Sequence, residues 1–294
     1  MSNSVIMDIF LPIALALIMF GMGLGLTKQD FTRLWLTPKP VLVGLFGQLI
    51  LLPIIAFGIC VWFELPPALA IGMMILAGSP GGTMSNVLSQ LAKANLALSV
   101  TLTSICTLVC VFTTPWLIHF SIQHFAEQNA PEYSLLGTSI GLIAITLIPV
   151  LLGILVRQLK AESAIKYEVH FRRFSLFFMI LMIVALMIKE RHLLVSSFEQ
   201  VFAASMTLNL LSVVVGALLA KSFLLTDKDA LTLGIEVGIQ NATMAILIAV
   251  SFLHEPSYAI TAGVYGLTMY LGPLPLIYWK KFKQKRQAPQ VVAD

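Results

Sequence analysis

Charge is what this sequence has least of: 11% of its 294 residues are Asp, Glu, Lys or Arg, while 58% are hydrophobic. A soluble domain carries roughly 25% charged residues, so a water-facing globular surface is excluded. Cysteine is scarcer still. Cys60, Cys106 and Cys110 are the full set and all fall in apolar runs, so no disulfide framework is implied. Cys106 and Cys110 stand at i and i+4, a spacing open to a metal pair, although free cysteine usually serves as a small buried apolar residue. Catalytic signatures are missing as well. There is no HExxH, the five histidines fall at the ends of apolar runs or between them, and no serine has a His and an Asp companion in its own region. A metalloprotease and a hydrolase triad are therefore not expected. Nor is a signal peptide, because MSNSVIMDIF has no Lys or Arg ahead of its apolar run and no small-residue cleavage site follows.

What is present is one apolar run after another. Hydrocarbon about 30 Å thick takes about 20 apolar residues per helix, and the runs predict nine spans: 5–26, 40–63, 67–91, 95–119, 134–156, 172–189, 199–224, 230–253 and 257–279. The fold class expected is an all-α polytopic membrane protein. With the N-terminus outside, sixteen of the 18 Lys and Arg residues fall on the inner side and only Lys189 and Arg191 on the outer. That matches the positive-inside rule and gives a multi-pass protein of the cell inner (plasma) membrane with a cytoplasmic C-terminus. The +4 net charge then concerns topology and anionic lipid, with no nucleic-acid partner. Trp35, Trp62, Trp116 and Trp279 fall near the expected interfaces, as anchoring aromatics do.

Two spans are interrupted. The third contains SPGGTMSNV, residues 79–87, in which Pro80, Gly81 and Gly82 remove a donor and loosen the turn. Each orphaned backbone group in lipid costs several kcal/mol, so a break survives only under cover of protein, water or ligand. A simple kink is the alternative for this stretch taken alone. The eighth span adds a second site, with Glu236, Gly238, Gln240, Asn241 and Thr243 in mid-run. Ser85–Asn86 and Gln240–Asn241 are 155 residues and five spans apart. Five is odd, so spans one to four map onto six to nine as an inverted repeat with two broken helices. That arrangement is the best sequence pointer to a transporter's midplane site.

Glu236 is the acid set deepest in a span. A central charge costs roughly 2.5–3.5 kcal/mol on insertion scales, and no Lys or Arg is predicted deep enough to pair with it. Its companions by repeat logic are oxygen carriers, which hard cations prefer; a protonated structural Glu is the alternative.

These residues carry a resemblance. MFGMGLGLTKQDF, then GSPGGTMSNVLSQLAKANLALSVTLTS, then GIEVGIQNAT resemble the bile acid:sodium symporter family in order and spacing over nearly the whole chain. Members have ten spans, or nine in some animal proteins, and this chain corresponds to the form without the first. The resemblance implies two sodium ions. One site would use Ser85, Asn86, Ser99, Thr103 and Glu236; the other would use the side chains of Gln48, Glu236 and Gln240 with carbonyls near Val237 and Ile239. It further implies an organic anion near the crossing of the broken helices, with Thr83, Asn86, Asn241 and Thr268 as candidate contacts. Tyr265 and Thr268 lie in a last span that departs from the bacterial relatives' pattern, and both could equally be packing residues. A lone Gln48 could likewise be an interhelical hydrogen bond.

The expected function is a sodium-coupled symporter that imports a small or amphipathic organic anion (bile-acid-like, pantoate- or pantothenate-like, or another carboxylate) by alternating access. The helices at 40–119 and 199–279 would form a core, rocking against a panel of those at 5–26, 134–156 and 172–189. Two sodium ions with one monovalent anion would carry net charge. The rivals are a proton-coupled carrier using Glu236, a sodium-dependent receptor without turnover, and an intramembrane enzyme, the last disfavoured for want of a nucleophile and base pair.

Overall fold

The structure, a computed structural model, describes residues 9–126 and 134–278. Asp8, Trp279 and the basic tail from Lys280 to Arg286 lie outside the described residues. Within them the chain is helical, and six helices are long and apolar enough to span a bilayer: α3 (Pro38–Trp62), α6 (Leu96–Phe125), α7 (Leu135–Leu159), α8 (Ala161–Lys189), α9 (Arg191–Ser222) and α12 (Pro256–Tyr278). A seventh span is α1 (Leu11–Gly25), bent by 62° from the short α2 (Lys28–Leu36). The remaining two are broken, α4 (Pro67–Ala77) with α5 (Thr83–Leu91), and α10 (Asp227–Gly238) with α11 (Ala242–Phe252). Six or seven helices are thus long and apolar enough to cross a membrane among the described residues, and the two broken pairs lie where the third and eighth of the nine expected spans fall.

Local chemistry sets the helix boundaries. α6 starts at Asn95, whose side chain accepts from Leu98 N, and α10 starts at a capping box in which Thr226 and Asp229 exchange bonds. In α3 a π-helical turn at Gly47–Leu51 precedes Pro53. Proline cannot donate to the turn before it and its ring crowds that turn's carbonyl, so the helix widens there and seats Gln48. Two stretches expected as loops are helical instead. Residues 28–36 form α2, capped by Asp30 Oδ2 accepting from Thr27 N at 2.7 Å. α8 begins at Ala161 rather than near 172, which puts Arg172 and Arg173 well inside a helix. His119 and His170 likewise lie within α6 and α8.

The broken helices sit at the centre. Every residue from 229 to 251 is buried, as is every residue from 69 to 77, whereas α8 and α9 present many apolar side chains outward. α1, α7 and α8 pack against one another through glycines. A Cβ on Gly23 would lie 2.2 Å from the Val150 carbonyl, one on Gly153 2.4 Å from the Phe20 carbonyl, and one on Gly21 2.2 Å from Phe171 Cβ. Small residues at these points let backbones meet where hydrophobic attraction between helices is absent.

The backbone carries the repeat. Left-handed residues end helices at Glu64 and Leu224, and again at Lys93 and His254. Each pair is 160 or 161 residues apart and occupies equivalent turns of the two halves. At the centre, Gly81 and Gln240 form an antiparallel bridge. Gly82 N donates to Ile239 O and Asn241 N donates to Pro80 O, both at 3.0 Å. An offset of 159 exchanges these two bonds, so the pseudo-two-fold passes through the Gly81–Gln240 pair.

Candidate functional site

A break in a buried helix obliges the protein to supply partners for the freed carbonyls, and here polar side chains from neighbouring spans do so. Gln48 Nε2 approaches Ser79 O at 3.4 Å, and Thr114 Oγ1 donates to Gly78 O. In the other half Asn209 Nδ2 and Tyr265 Oη donate to Gly238 O at 2.8 and 2.9 Å. Gln48 and Asn209 therefore perform the same task in the two repeats, Ser79 and Gly238 being 159 residues apart. Asn209 also donates to Met269 O at 3.0 Å and accepts from Gly272 N at 2.9 Å. It is fully buried and was not singled out from sequence, although a polar residue in mid-span one repeat after Gln48 was the available signal. Tyr265 is thus a brace of the break.

Glu236 is 1% exposed and lies against Gly81, where a Cβ would come within 2.7 Å of its Oε1. Ser99 Oγ lies 2.7 Å from Glu236 Oε2 and 2.8 Å from Asn86 Oδ1, and with one proton it cannot donate to both. Thr103 Oγ1 faces Glu236 Oε1, Ser99 O at 3.0 Å and Asn86 Oδ1 at 3.5 Å, again with a single proton. Ser85 Oγ is fully buried and has no hydrogen-bond partner. The structure thus brings Asn86, Ser99 and Thr103 together around Glu236, with Ser85 buried but making no hydrogen bond, and the two hydroxyl protons of Ser99 and Thr103 face four acceptor oxygens. No basic group neutralises Glu236: among the described residues the one ion pair is Arg172–Glu168. The side-chain atoms that meet at Glu236 are carboxylate, hydroxyl and amide oxygens, a donor set that hard cations prefer.

The second expected set is only partly assembled. Gln48 Nε2 donates to Gln240 Oε1 at 2.7 Å, and Gln240 Nε2 donates to Val237 O at 2.8 Å. Ile239 O receives Gly82 N across the bridge, and the Glu236 carboxylate is engaged with Ser99 and Thr103 instead. Gln48, Gln240 and Val237 therefore meet, while Glu236 and Ile239 point their oxygens to other partners.

A cavity of about 170 Å³ opens between the crossing and α1 and α8, lined on one side by Thr83, Asn241 and Thr243 and on the other by Arg172 and Arg173. A second cavity of about 260 Å³ adjoins it and shares Met22, Thr83, Glu168 and Arg172; Asn86 lines this one. Thr83, Asn86 and Asn241 thus border open space, and Asn241 additionally caps α11 by accepting from Met244 N at 3.0 Å. Thr268 does not. Its hydroxyl returns to Val264 O at 3.0 Å within its own helix, and it lines a separate apolar cavity.

An all-helical membrane protein whose inverted halves meet at two crossed, broken helices, with an unneutralised carboxylate beside the crossing, has the architecture of a secondary transporter. Comparison with known proteins gives the family. Residues 12–197 match the Sodium Bile acid symporter family. The chain is 31% identical over 280 residues, 95% of this chain and 85% of the relative, to the uncharacterized sodium-dependent transporter YocS of Bacillus subtilis. It is 27% identical over 288 residues, 96% of this chain and 68% of the relative, to a protein named probable sodium/metabolite cotransporter BASS1, chloroplastic, of Arabidopsis thaliana. It is also 29% identical over 163 residues, 55% of this chain and 46% of the relative, to the ileal sodium/bile acid cotransporter of Oryctolagus cuniculus. This chain belongs to the sodium bile acid symporter family.

Proposed function

We propose that this protein is a sodium-coupled symporter that imports a small organic anion across the inner membrane by alternating access. The observation that carries the reading is the Glu236 cluster: a buried carboxylate without a basic partner, at the point where two broken helices cross, whose neighbouring Ser99 and Thr103 hydroxyls face more acceptor oxygens than they have protons. A buried charge must be paired or protonated, and sodium is the co-substrate that suits an all-oxygen shell. Ser85, Asn86, Ser99, Thr103 and Glu236 hold the first ion. The second ion takes Gln48, Gln240 and the Val237 carbonyl once the two glutamine amides exchange their mutual bond for the ion and Glu236 and Ile239 turn an oxygen toward it.

The anion sits at the crossing in the adjoining cavity, with Thr83, Asn86 and Asn241 as contacts. The N-terminus of α5, which has no side-chain cap, offers its free amides to a carboxylate. α1, α7 and α8, welded through Gly21, Gly23 and Gly153, serve as the panel against which α3–α6 and α9–α12 rock. With the N-terminus outside, the cavity lined by Arg157, Arg172 and Gln90 opens toward the cytoplasm, so this conformation is the releasing one.

A thermal-shift screen of carboxylates in sodium and in choline identifies the solute, since a ligand stabilises in proportion to its affinity. Uptake of that solute into proteoliposomes then requires inward sodium and rises sigmoidally with it. Equal uptake with potassium or choline in place of sodium would sink the reading.

A further inference from the structure

The two adjoining cavities have an uneven charge. Their lining contains Arg157, Arg172 and Arg173 against a single acid, Glu168. Glu168 is already 3.7 Å from Arg172, with both side chains partly exposed, and Arg173 has no ion pair among the described residues. These two arginines are not loop charges. They lie eleven and twelve residues beyond the start of α8; the place of Arg172 on the wall is fixed from the side, and Arg173 lines the same cavity from the next position round the helix. Gly21 admits Phe171 to contact with α1, and the Phe171 ring meets Phe20 edge-on at 5.5 Å. Glu168, Phe171, Arg172, Ser175, Leu176 and Met179 then follow the i, i+3, i+4 spacing of one helical face, and all of them line the cavity.

The opposite wall, made by Gly82, Thr83 and Asn241–Thr243, carries no charge. A solute filling the first cavity thus touches uncharged amide and hydroxyl groups at one end and guanidinium groups at the other. A monocarboxylate seated at the crossing leaves the guanidinium wall unanswered. Guanidinium presents a planar fork that matches carboxylate, sulfate or phosphate oxygens two at a time. We infer that Arg172 and Arg173 form a second anion-recognition point in the transport cavity, so that the solute is a small organic dianion with one anionic group at the crossing and the other on the arginines. The inference rests on the symport reading above and narrows its substrate class. It also changes the charge balance: two sodium ions with a dianion move no net charge, and a tenfold sodium gradient then supports about a hundredfold solute gradient.

The test compares matched acids, succinate with butyrate and glutarate with valerate, by titration of the purified full-length protein in sodium, in detergent free of anionic lipid. The dicarboxylate of at least one pair binds about tenfold tighter than its partner, the value of a charge-assisted hydrogen bond. The double substitution Arg172→Gln with Arg173→Gln brings that ratio to about one. A wild-type ratio near one in both pairs, a ratio that survives the double substitution, or no response to either dicarboxylate overturns the inference and leaves the arginines as anchors for lipid headgroups. The melting shift produced by sodium alone, read on the same samples, reports that the variant is folded. It also separates the two claims: its absence from the wild type counts against sodium coupling, whereas the paired-acid ratio bears on the arginines.

Discussion

Replacing Glu236 with Gln keeps the shape of the cluster and removes its charge. One of Ser99 and Thr103 still faces an oxygen of the new side chain and the other meets its amide nitrogen, but sodium entering the shell has no counter-charge. Removing one member of a buried charge pair costs about 3–5 kcal/mol, so sodium affinity falls more than a hundredfold. At ten times the wild-type dissociation constant, sodium stabilises the wild type by about 1.4 kcal/mol, which corresponds to a rise in melting temperature of about 3–6 °C. The variant, a hundredfold weaker, gains less than about 0.1 kcal/mol and shows essentially no rise. Without sodium the order reverses. The wild type carries an unneutralised buried carboxylate and the variant does not, so Glu236→Gln melts at the same temperature as the wild type or higher in choline. The assay is thermal unfolding of both proteins in sodium and choline at equal ionic strength. A variant that keeps the sodium shift would refute the argument, as would one whose uptake loses its pH response while keeping sodium affinity, the mark of a proton carrier.

Gly81→Ala forces a methyl group to within 2.7 Å of Glu236 Oε1; sodium affinity drops about tenfold or more, read by the same sodium titration, with a stability loss of about 1–3 kcal/mol. Asn209→Ala leaves Met269 O and Gly272 N without their partner and Gly238 O with only Tyr265, and unfolding in choline is easier by about 2–5 kcal/mol. Gly23→Val drives a branched side chain into the Val150 carbonyl and separates α1 from α7; the yield of monodisperse protein falls, and a variant purified as readily as the wild type contradicts the welded panel.

Both helix breaks were legible because lipid makes irregular backbone expensive, so Pro80, Gly81, Gly82 and the polar run from Glu236 to Thr243 stand out from their surroundings. The inverted repeat was legible for the same reason, but its offset was not. Matching Ser85–Asn86 to Gln240–Asn241 gives 155, whereas the backbone bridge pairs Gly81 with Gln240; the two halves share a break and not a set of side chains. The polar residues of the first proposed cation set were named through the resemblance, and Asn86, Ser99 and Thr103 join Glu236 in one hydrogen-bonded cluster. Arg172 and Arg173 looked like inner-loop charges because a hydropathy window ends where charge begins, while α8 runs on through them without a break. α2 escaped for a related reason: it is too polar to register as a span and is held by a local cap. Thr268 was placed near the solute by analogy of position alone, and its hydroxyl satisfies its own helix.

Sodium occupancy of the purified protein is the most direct measurement. Equilibrium binding of radioactive sodium, without any organic solute, saturates at two ions per chain with a sigmoidal rise, and the label is displaced by unlabelled sodium but not by potassium or choline. No saturable binding, or label displaced equally by potassium, would contradict the claim that alkali cations neutralise the acid at the helix crossing.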